Sequence, residues 1–496
     1  MAETVGFKPL IERAILTERS AEEEAADFSA ELAATHGRDP VKMLEDLRRQ
    51  AKEGGDSYWA AGPALGVQDL QQGRPRIDML LFGDCDVHME TAFLQREAAN
   101  RGVELRVAAT FPDDLRLASE HRHDAILIGA LRARHAIADV HPPHSPEPPF
   151  AIFLLQARGI IERLRAQTAA PILFDNLPEP TVQPLGMAER GQNGHRNRFR
   201  MANIALAELA EAYADVHVVD VAAILAAAGS ERLLDDGQVG FTHFGSPGWM
   251  LQRPESEKAA LHGIFPDPAP LIEAVGADAY GREAVMAKAH IDALLTVTGL
   301  NRKKCVVVDL DGVLWPGVLT ETGGPFAWAP DVSSPFSHIG LFFGLHEALL
   351  ALKARGVVLA CVSRSSEAVV RELWKYEDHY PRERLLTPDD FAAWRADGGD
   401  KVESITSIAE QLGLAPETLL LIDPSPAARE RVRQDLPQVE VWGEELFGLR
   451  RRLLSDPRLQ TPRMTAAPSP HVVSVASVAS LLAPSPASGL RHPEAE

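Results

Sequence analysis

A repeated alternation of short apolar runs with longer amphipathic stretches constrains this chain more than any other feature. Runs of this kind are typical of strands buried on both faces, as in parallel sheets that are covered by helices. The runs cover residues 77–82, 125–128, 171–174 and 216–220, and then 305–310, 357–362 and 418–422. We therefore predict an α/β fold with two parallel-sheet, three-layer domains.

The two series of runs divide the 496 residues into four predicted regions. Residues 1–70 are predicted to form a helical lead-in, and residues 71–275 the first α/β domain. The second α/β domain is predicted over residues 276–465 and begins with a helix over 280–295. Residues 466–496 are rich in Ala, Pro and Ser, which cannot bury enough apolar surface to offset the cost of ordering, so this tail is predicted to be disordered.

Charge and cysteine content restrict the partners and the compartment. Fifty Lys and Arg against seventy Asp and Glu give a net charge of −20, which opposes a phosphate backbone, so we expect no nucleic-acid partner. Cys85, Cys305 and Cys361 are too few for a disulfide framework and indicate a reducing compartment. The sequence shows neither a leader pattern nor an apolar stretch long enough to cross a membrane. We expect a cytoplasmic protein with no membrane partner.

Two carboxylates lie at the end of the first strand of the second series. Asp309 and Asp311 fall at the carboxyl edge of the predicted sheet, and Gly312 lets the chain turn directly afterwards. Such a pair repels itself unless a cation neutralises it, and hard oxygen ligands suit Mg²⁺, which can also hold a phosphate. The pattern favours phosphoryl chemistry, although Asp-x-Asp-Gly alone also suits a plain polar turn.

Three further residues fall at the same predicted edge and favour the chemical interpretation. Ser363 follows the strand 357–362 and could bind a phosphate oxygen. Lys401 begins an amphipathic helix over 401–412 and could offset charge on a transferred phosphoryl group. Asp423 follows the strand 418–422 and could complete a metal site with Asp309 and Asp311.

In order and type these residues resemble the four motifs of the haloacid dehalogenase (HAD) superfamily. The FkbH-like branch is similar in four stretches, which are DLDGVLWPGV, LACVSR, LTPDDF and LPQVEV. Members of that branch often carry an N-terminal SGNH-hydrolase-like domain, and DNLPEPT from Asp175 onward is similar to it. The resemblance implies that Asp309 is a nucleophile that forms an aspartyl-phosphate and that Asp311 is the acid/base.

The resemblance also implies a group transfer. Its better understood members take a glyceryl unit from 1,3-bisphosphoglycerate, remove phosphate, and load the unit onto an acyl carrier protein for polyketide assembly. The 363 − 311 = 52 positions between Asp311 and Ser363 leave little room for a cap domain, so a carrier arm could reach the site. Where the branch has paired acids followed by Asn-Pro, this chain has Asp423-Pro424-Ser425-Pro426, which removes one acid and lowers the expected Mg²⁺ affinity.

A thiol at the end of the first predicted strand is the candidate for the acyl transfer. Cys85 lies in Gly-Asp-Cys-Asp, similar to the Gly-Asp-Ser block of SGNH hydrolases, and a helix N-terminus there would lower its thiol pKa. His243, with Asp235 or Asp236 upstream, is the best candidate base. A small residue packed under the turn explains Cys85 equally well. Classical esterase activity is not expected, because the usual Gly-x-Asn block is missing.

Three functions remain open from the sequence. The first is an FkbH-like phosphatase and glyceryltransferase that acts on a phosphorylated donor and an acyl carrier protein. The second is a plain Mg²⁺-dependent phosphatase. The third is a catalytically degenerate module that docks carrier proteins.

Overall fold

A computed structural model describes residues 75–83, 90–110, 117–118, 122–129, 150–180, 183, 186–189, 191, 194–229, 233, 281–326, 336–376 and 382–463. The predicted helical lead-in and C-terminal tail, together with Cys85 and His243, lie outside these residues. Contacts divide the chain into a first unit, Met1–Leu300, and a second unit, Asn301–Glu496. In the described part of the chain, no helix is both long and apolar enough to span a membrane.

The first unit contains a five-stranded parallel sheet with the strand order β2-β1-β3-β4-β5. Strands β3 and β4 are buried at every position, as expected for strands with helices on both faces. The strands are β1 (Arg76–Phe82), β2 (Glu104–Thr110), β3 (Ala125–Ile128), β4 (Ile172–Asp175) and β5 (Val216–Val219).

Helices cover both faces of this sheet and form two apolar cores. Helices α1, α4 and α5 pack on one face, and α2 and α3 pack on the other. The helices are α1 (Thr91–Asn100), α2 (Ala151–Arg165), α3 (His195–Glu211), α4 (Val221–Ala228) and α5 (Gly281–Thr298).

Helix α5 corrects the predicted domain boundary. Its buried face, which includes Met286, Ile291 and Leu294, joins the core of the first sheet beside Phe93 and Leu94 of α1. An amphipathic pattern shows that a helix has a face to bury, but it does not show which sheet receives that face. The prediction that the second domain begins at residue 276 is therefore wrong, and the first unit extends to residue 300.

The second unit contains a parallel sheet with the order β10-β9-β6-β7-β8. The strands are β6 (Cys305–Asp309), β7 (Val358–Ser363), β8 (Ala393–Ala396), β9 (Leu419–Ile422) and β10 (Glu440–Trp442). The helices are α6 (Leu319–Thr322), α7 (Phe336–Ala354), α8 (Glu367–Leu373), α9 (Lys401–Leu412), α10 (Pro426–Asp435) and α11 (Leu449–Ser455). The predicted fold class, two parallel α/β domains with helices on both sheet faces, is confirmed.

Helix α9 shows how local sequence sets an element in this unit. Asp400 caps its N-terminus by accepting a hydrogen bond from the Val402 amide at 2.9 Å. Its buried face contributes Ile405 and Ile408 to the core on one side of the sheet. Gly413 ends the helix with a φ of 63°, a left-handed conformation that favours glycine. The helix begins and ends at the predicted residues.

Candidate active site

The strand order brings three chain segments to one edge of the second sheet. Central strand β6 ends in Asp309, and its neighbours are β7, which ends in Ser363, and β9, which Asp423 follows. Because Val308 pairs with Ile422, the next residues, Asp309 and Asp423, lie at the same level of the sheet. Parallel α/β sheets place their sites at such carboxyl ends.

Lys401 joins the two carboxylates. Its Nζ donates a hydrogen bond to Asp309 Oδ2 at 2.8 Å and forms a second ion pair with Asp423 Oδ2. The Asp423 side chain is fully buried, and those of Asp309 and Lys401 are each 13% exposed. Two carboxylates and one ammonium therefore share a small, largely dry space, and as ions they carry a net charge of −1.

Burial sets the ionisation of Asp309. Removal from water disfavours its carboxylate, and the charges of Asp423 and Asp311 add to this, while Lys401 opposes it. The balance raises the pKa of Asp309 to about 6. A carboxylate with a raised pKa gains from any further cation that enters the site.

The Asp311 carboxylate is held by its own turn. Its Oδ1 accepts hydrogen bonds from Trp315 Nε1 at 2.8 Å and from the Leu319 amide at 3.0 Å. Trp315 is completely buried, and Gly312 makes the turn with a φ of 75°. The side chain of Asp311 is thereby fixed beside Asp309. The sequence motif alone did not identify Trp315 as the partner of Asp311, although the two residues are only four positions apart.

The predicted three-carboxylate metal site is not found in this form. Among the described residues, no group of three acidic, His or Cys side chains is arranged to hold a metal ion. Asp309 and Asp423 are the two carboxylates that converge, since Lys401 Nζ contacts both. Mg²⁺ is commonly bound by one or two carboxylates together with water and phosphate oxygens, so this donor set still fits that ion.

Ser363 lies one strand away from Asp309. It is 6% exposed, and its Oγ accepts a hydrogen bond from the Ser365 amide at 3.2 Å. Since that bond uses the oxygen as an acceptor, the hydroxyl proton can be donated to an anion at the sheet edge.

The two cysteines of the second unit are not nucleophiles. Cys305 and Cys361 are fully buried within strands. Burial raises the pKa of the Cys305 thiol to about 12 and that of the Cys361 thiol still further above its usual range. The roles of Cys85 and His243 stay predictions, because both residues lie outside the described part of the chain.

A buried charge cluster lies at the carboxyl edge of the first sheet. His290 of α5 contacts Glu90 Oε2 through Nδ1 at 3.0 Å and Asp175 Oδ1 through Nε2 at 2.8 Å. Burial alone would lower the pKa of His290, but the two carboxylates outweigh it and raise the pKa to about 10. With 1% of its surface exposed, this imidazolium has no access to a substrate. The cluster therefore ties α5 to β4 and to the start of α1.

No protein-family model matches the chain, and no curated protein sequence matches it. Among solved structures, it is similar to the N-terminal part of the protein BF1531 from Bacteroides fragilis, described as containing a phosphatase domain complexed with Mg. The two share 16% identity over 83% of this chain and 99% of that chain, with a TM-score of 0.56. This likeness shows a shared fold.

Two other solved structures align over much of the chain with low TM-scores. A putative sugar binding protein from Salmonella typhimurium LT2 has 13% identity, covering 82% of this chain and 91% of that chain, with a TM-score of 0.16. A C2-type ketoreductase from a modular polyketide synthase has 13% identity, covering 72% and 64%, with a TM-score of 0.17.

Proposed function

We propose that the second unit is a Mg²⁺-dependent phosphatase of the HAD type, with Asp309 as its nucleophile. The observation that carries this proposal is the buried convergence of Asp309, Lys401 and Asp423 at the carboxyl edge of neighbouring strands. The fold shared with a protein that contains a phosphatase domain supports it. The order of motifs in the sequence supports it independently.

The first chemical step forms an aspartyl-phosphate. An Asp309 carboxylate oxygen bonds to the phosphorus of a phosphoester, the bond from phosphorus to the alcohol oxygen breaks, and Asp311 gives that oxygen a proton. Lys401 and Ser363 bind the phosphoryl oxygens as charge develops on them. Mg²⁺, when held by Asp309 and Asp423, supplies additional positive charge to those oxygens.

The second step releases phosphate. Asp311, now ionised, takes a proton from a water molecule whose oxygen bonds to phosphorus. The bond from phosphorus to Asp309 breaks, inorganic phosphate leaves, and both carboxyl groups return to their starting states. The hydrogen bonds from Trp315 and Leu319 keep Asp311 oriented through both steps.

Phosphate release from para-nitrophenyl phosphate tests this proposal. We expect activity with Mg²⁺, its loss in excess chelator, and a loss of about 10³-fold or more in Asp309→Asn. Asp390→Asn is the matched control, since it makes the same substitution in the same unit at a carboxylate paired with Lys353. Asp309→Asn with near wild-type activity would rule out the assigned nucleophile.

A carrier-bound substrate is a further possibility that one observation favours. Among the described residues between Asp311 and Ser363, helices α6 and α7 pack into the core of the unit, and no domain is inserted. The structure does not describe residues 327–335, and these nine residues are too few to form a cap domain. An open sheet edge of this kind can admit the phosphopantetheine arm of an acyl carrier protein.

On this basis the chain would load a glyceryl unit from 1,3-bisphosphoglycerate onto the carrier. The Cys85 thiolate would bond to the acyl carbon and displace phosphate, and the carrier thiol would then attack the thioester and release Cys85. His243 would take the proton from the incoming thiol. The 3-phosphate would be hydrolysed at Asp309.

Intact-mass spectrometry of the carrier separates the three functions left open by the sequence. Glyceryl on the carrier supports the transferase, release of phosphate with an unmodified carrier supports a plain phosphatase, and no change in any species supports a docking module. Cys85→Ser should block glyceryl transfer and leave phosphate release from simple phosphoesters intact.

A further inference from the structure

Arg429 of α10 contacts the backbone of the loop that follows β9 and is 7% exposed. Its Nη1 donates hydrogen bonds to the carbonyl oxygens of Asp423 and Pro424, both at 2.9 Å, and of Gly443 at 3.1 Å. These carbonyls follow strands β9 and β10. One buried guanidinium group therefore ties together the ends of two neighbouring strands.

The loop after β9 needs a donor from outside itself. Pro424 and Pro426 have no backbone N–H, so the loop from Asp423 to Pro426 has lost two of its own donors. The Ser425 amide is committed to Asp423 Oδ1 at 2.8 Å. Arg429 supplies the donor that the carbonyls of Asp423 and Pro424 would otherwise lack.

The same loop is packed tightly on two other sides. Gly443 has a φ of 117°, and a Cβ there would lie 2.2 Å from the Asp423 carbonyl oxygen. On the other side, a Cβ on Gly312 would lie 3.3 Å from Pro424 Cγ. The position of Asp423 relative to Asp309 thus depends on how the loop is held, and small shifts of the loop move a metal-binding oxygen.

We infer that Arg429 is a positioning residue that sets the Mg²⁺ affinity of the site by fixing the Asp423 loop; this rests on the proposed phosphatase function. Groups that orient metal ligands typically change metal affinity by 10–100-fold when they are replaced. The buried Nε of Arg429 has no hydrogen-bond partner among the described residues, and its nearest carboxylate oxygen, on Glu444, is 3.7 Å away. The Nη1 atom is therefore the one through which Arg429 holds the loop.

The test compares three variants by two readouts of Mg²⁺ binding. The first is the Mg²⁺ dissociation constant obtained by fitting the logarithmic rise of the unfolding temperature with Mg²⁺ concentration. The second is the Mg²⁺ concentration that gives half of the maximal phosphatase rate. Both are called the Mg²⁺ midpoint below. Arg429→Gln removes the positive charge and shortens the side chain. Arg429→Lys keeps a positively charged donor, but as a single ammonium group on a shorter side chain. Arg433→Gln is the matched control, one turn further along α10, where Arg433 is 43% exposed and pairs with Glu444.

We expect Arg429→Gln to need about 10–100-fold more Mg²⁺ by both readouts, with the rate at saturating Mg²⁺ much less affected. Arg429→Lys should be intermediate, with at least about a threefold rise, and Arg433→Gln should match wild type. A purely structural role would lower the unfolding temperature in chelator without moving the Mg²⁺ midpoint.

A wild-type Mg²⁺ midpoint in Arg429→Gln overturns the inference, and if that variant does not fold, the midpoint of Arg429→Lys decides in the same way. The proposed function fails separately. If the wild-type protein shows neither a Mg²⁺-dependent rise in unfolding temperature nor phosphatase activity, the phosphatase proposal and this inference both fall. If wild type responds and the variants respond equally, only the inference falls.

Discussion

Replacing Asp309 by asparagine should stabilise the metal-free protein while removing its proposed nucleophile. Asp309 is 13% exposed, and burial, together with the charge of Asp423, raises its pKa from 3.8 to about 6. A shift of about two units corresponds to about 3 kcal/mol of penalty on the ionised form at neutral pH. The amide is nearly isosteric and uncharged, so Asp309→Asn should raise the free energy of unfolding by about this amount.

The pH dependence has a definite sign. Because the folded-state pKa of Asp309 is raised, folded protein binds the proton more tightly than unfolded protein does between pH 3.8 and about 6. The wild-type free energy of unfolding therefore falls across that range, relative to the variant, as pH rises. The two proteins should be equally stable near pH 4, and the full difference should be present above pH 6.5.

Urea denaturation in excess chelator, at pH 4.5 and at pH 7.5, measures the difference. Tryptophan emission reports mainly on the second unit, which contains five of the seven tryptophans. Asp390→Asn is the control with the opposite sign. The Asp390 pKa is lowered, since the bonds from Lys353 and Thr387 outweigh its burial, so losing that charge should destabilise the protein.

Saturating Mg²⁺ should reverse the order. A cation held by Asp309 and Asp423 removes the penalty in wild type, whereas the variant has lost one ligand and gains less from the ion. An Asp309→Asn protein that is no more stable than wild type at pH 7.5 in chelator would refute this account of the site.

Three further expectations concern other parts of the chain. His290→Gln should leave two buried carboxylates without their cation and cost on the order of 3–5 kcal/mol, read as lost hydrogen-exchange protection in β4 and α5. The loss should shrink as pH rises from 6.5 to about 10, because across that range the folded wild-type protein keeps the imidazolium proton and the unfolded protein does not. Lys401→Met should slow phosphate release by about 10²-fold or more at saturating substrate. A variant whose kcat and KM both equal those of wild type would contradict the role of Lys401. Brief iodoacetamide treatment with peptide mapping should label Cys85 well before Cys305 or Cys361, and equal labelling would contradict a low thiol pKa at Cys85.

Where the signals are local, the sequence was sufficient to predict the structure. The helix from Lys401 to Leu412 carries its cap at Asp400 and its stop at Gly413, and both signals lie within one residue of the helix ends. Central strands were also predictable, because burial on both faces leaves an uninterrupted apolar run. The outer strands β2, β8 and β10 were missed, since they are short or, like β2, carry charged residues at an edge.

The missed parts of the sites depend on contacts between distant residues. His290 lies 115 positions from Asp175 and 200 from Glu90, and no spacing pattern connects them. Arg429 binds backbone carbonyl oxygens, which every residue has. The residue types in the sequence therefore cannot identify its partners. Asp309 and Asp423 could be paired in advance because both follow apolar strands, and the topology of parallel sheets brings such ends together.

The late position of α5 has a consequence for synthesis on the ribosome. The last strand of the first sheet ends at Val219, and α5 begins at Gly281, so 281 − 219 = 62 positions separate the sheet from the helix that completes its core. At roughly 5–20 residues per second, the apolar faces of α1 and α4 would wait about 3–12 s for their partner to emerge. A nascent chain that is halted before residue 298 would present this surface to chaperones. A protein truncated at residue 275 would lack α5 and would keep the same surface exposed.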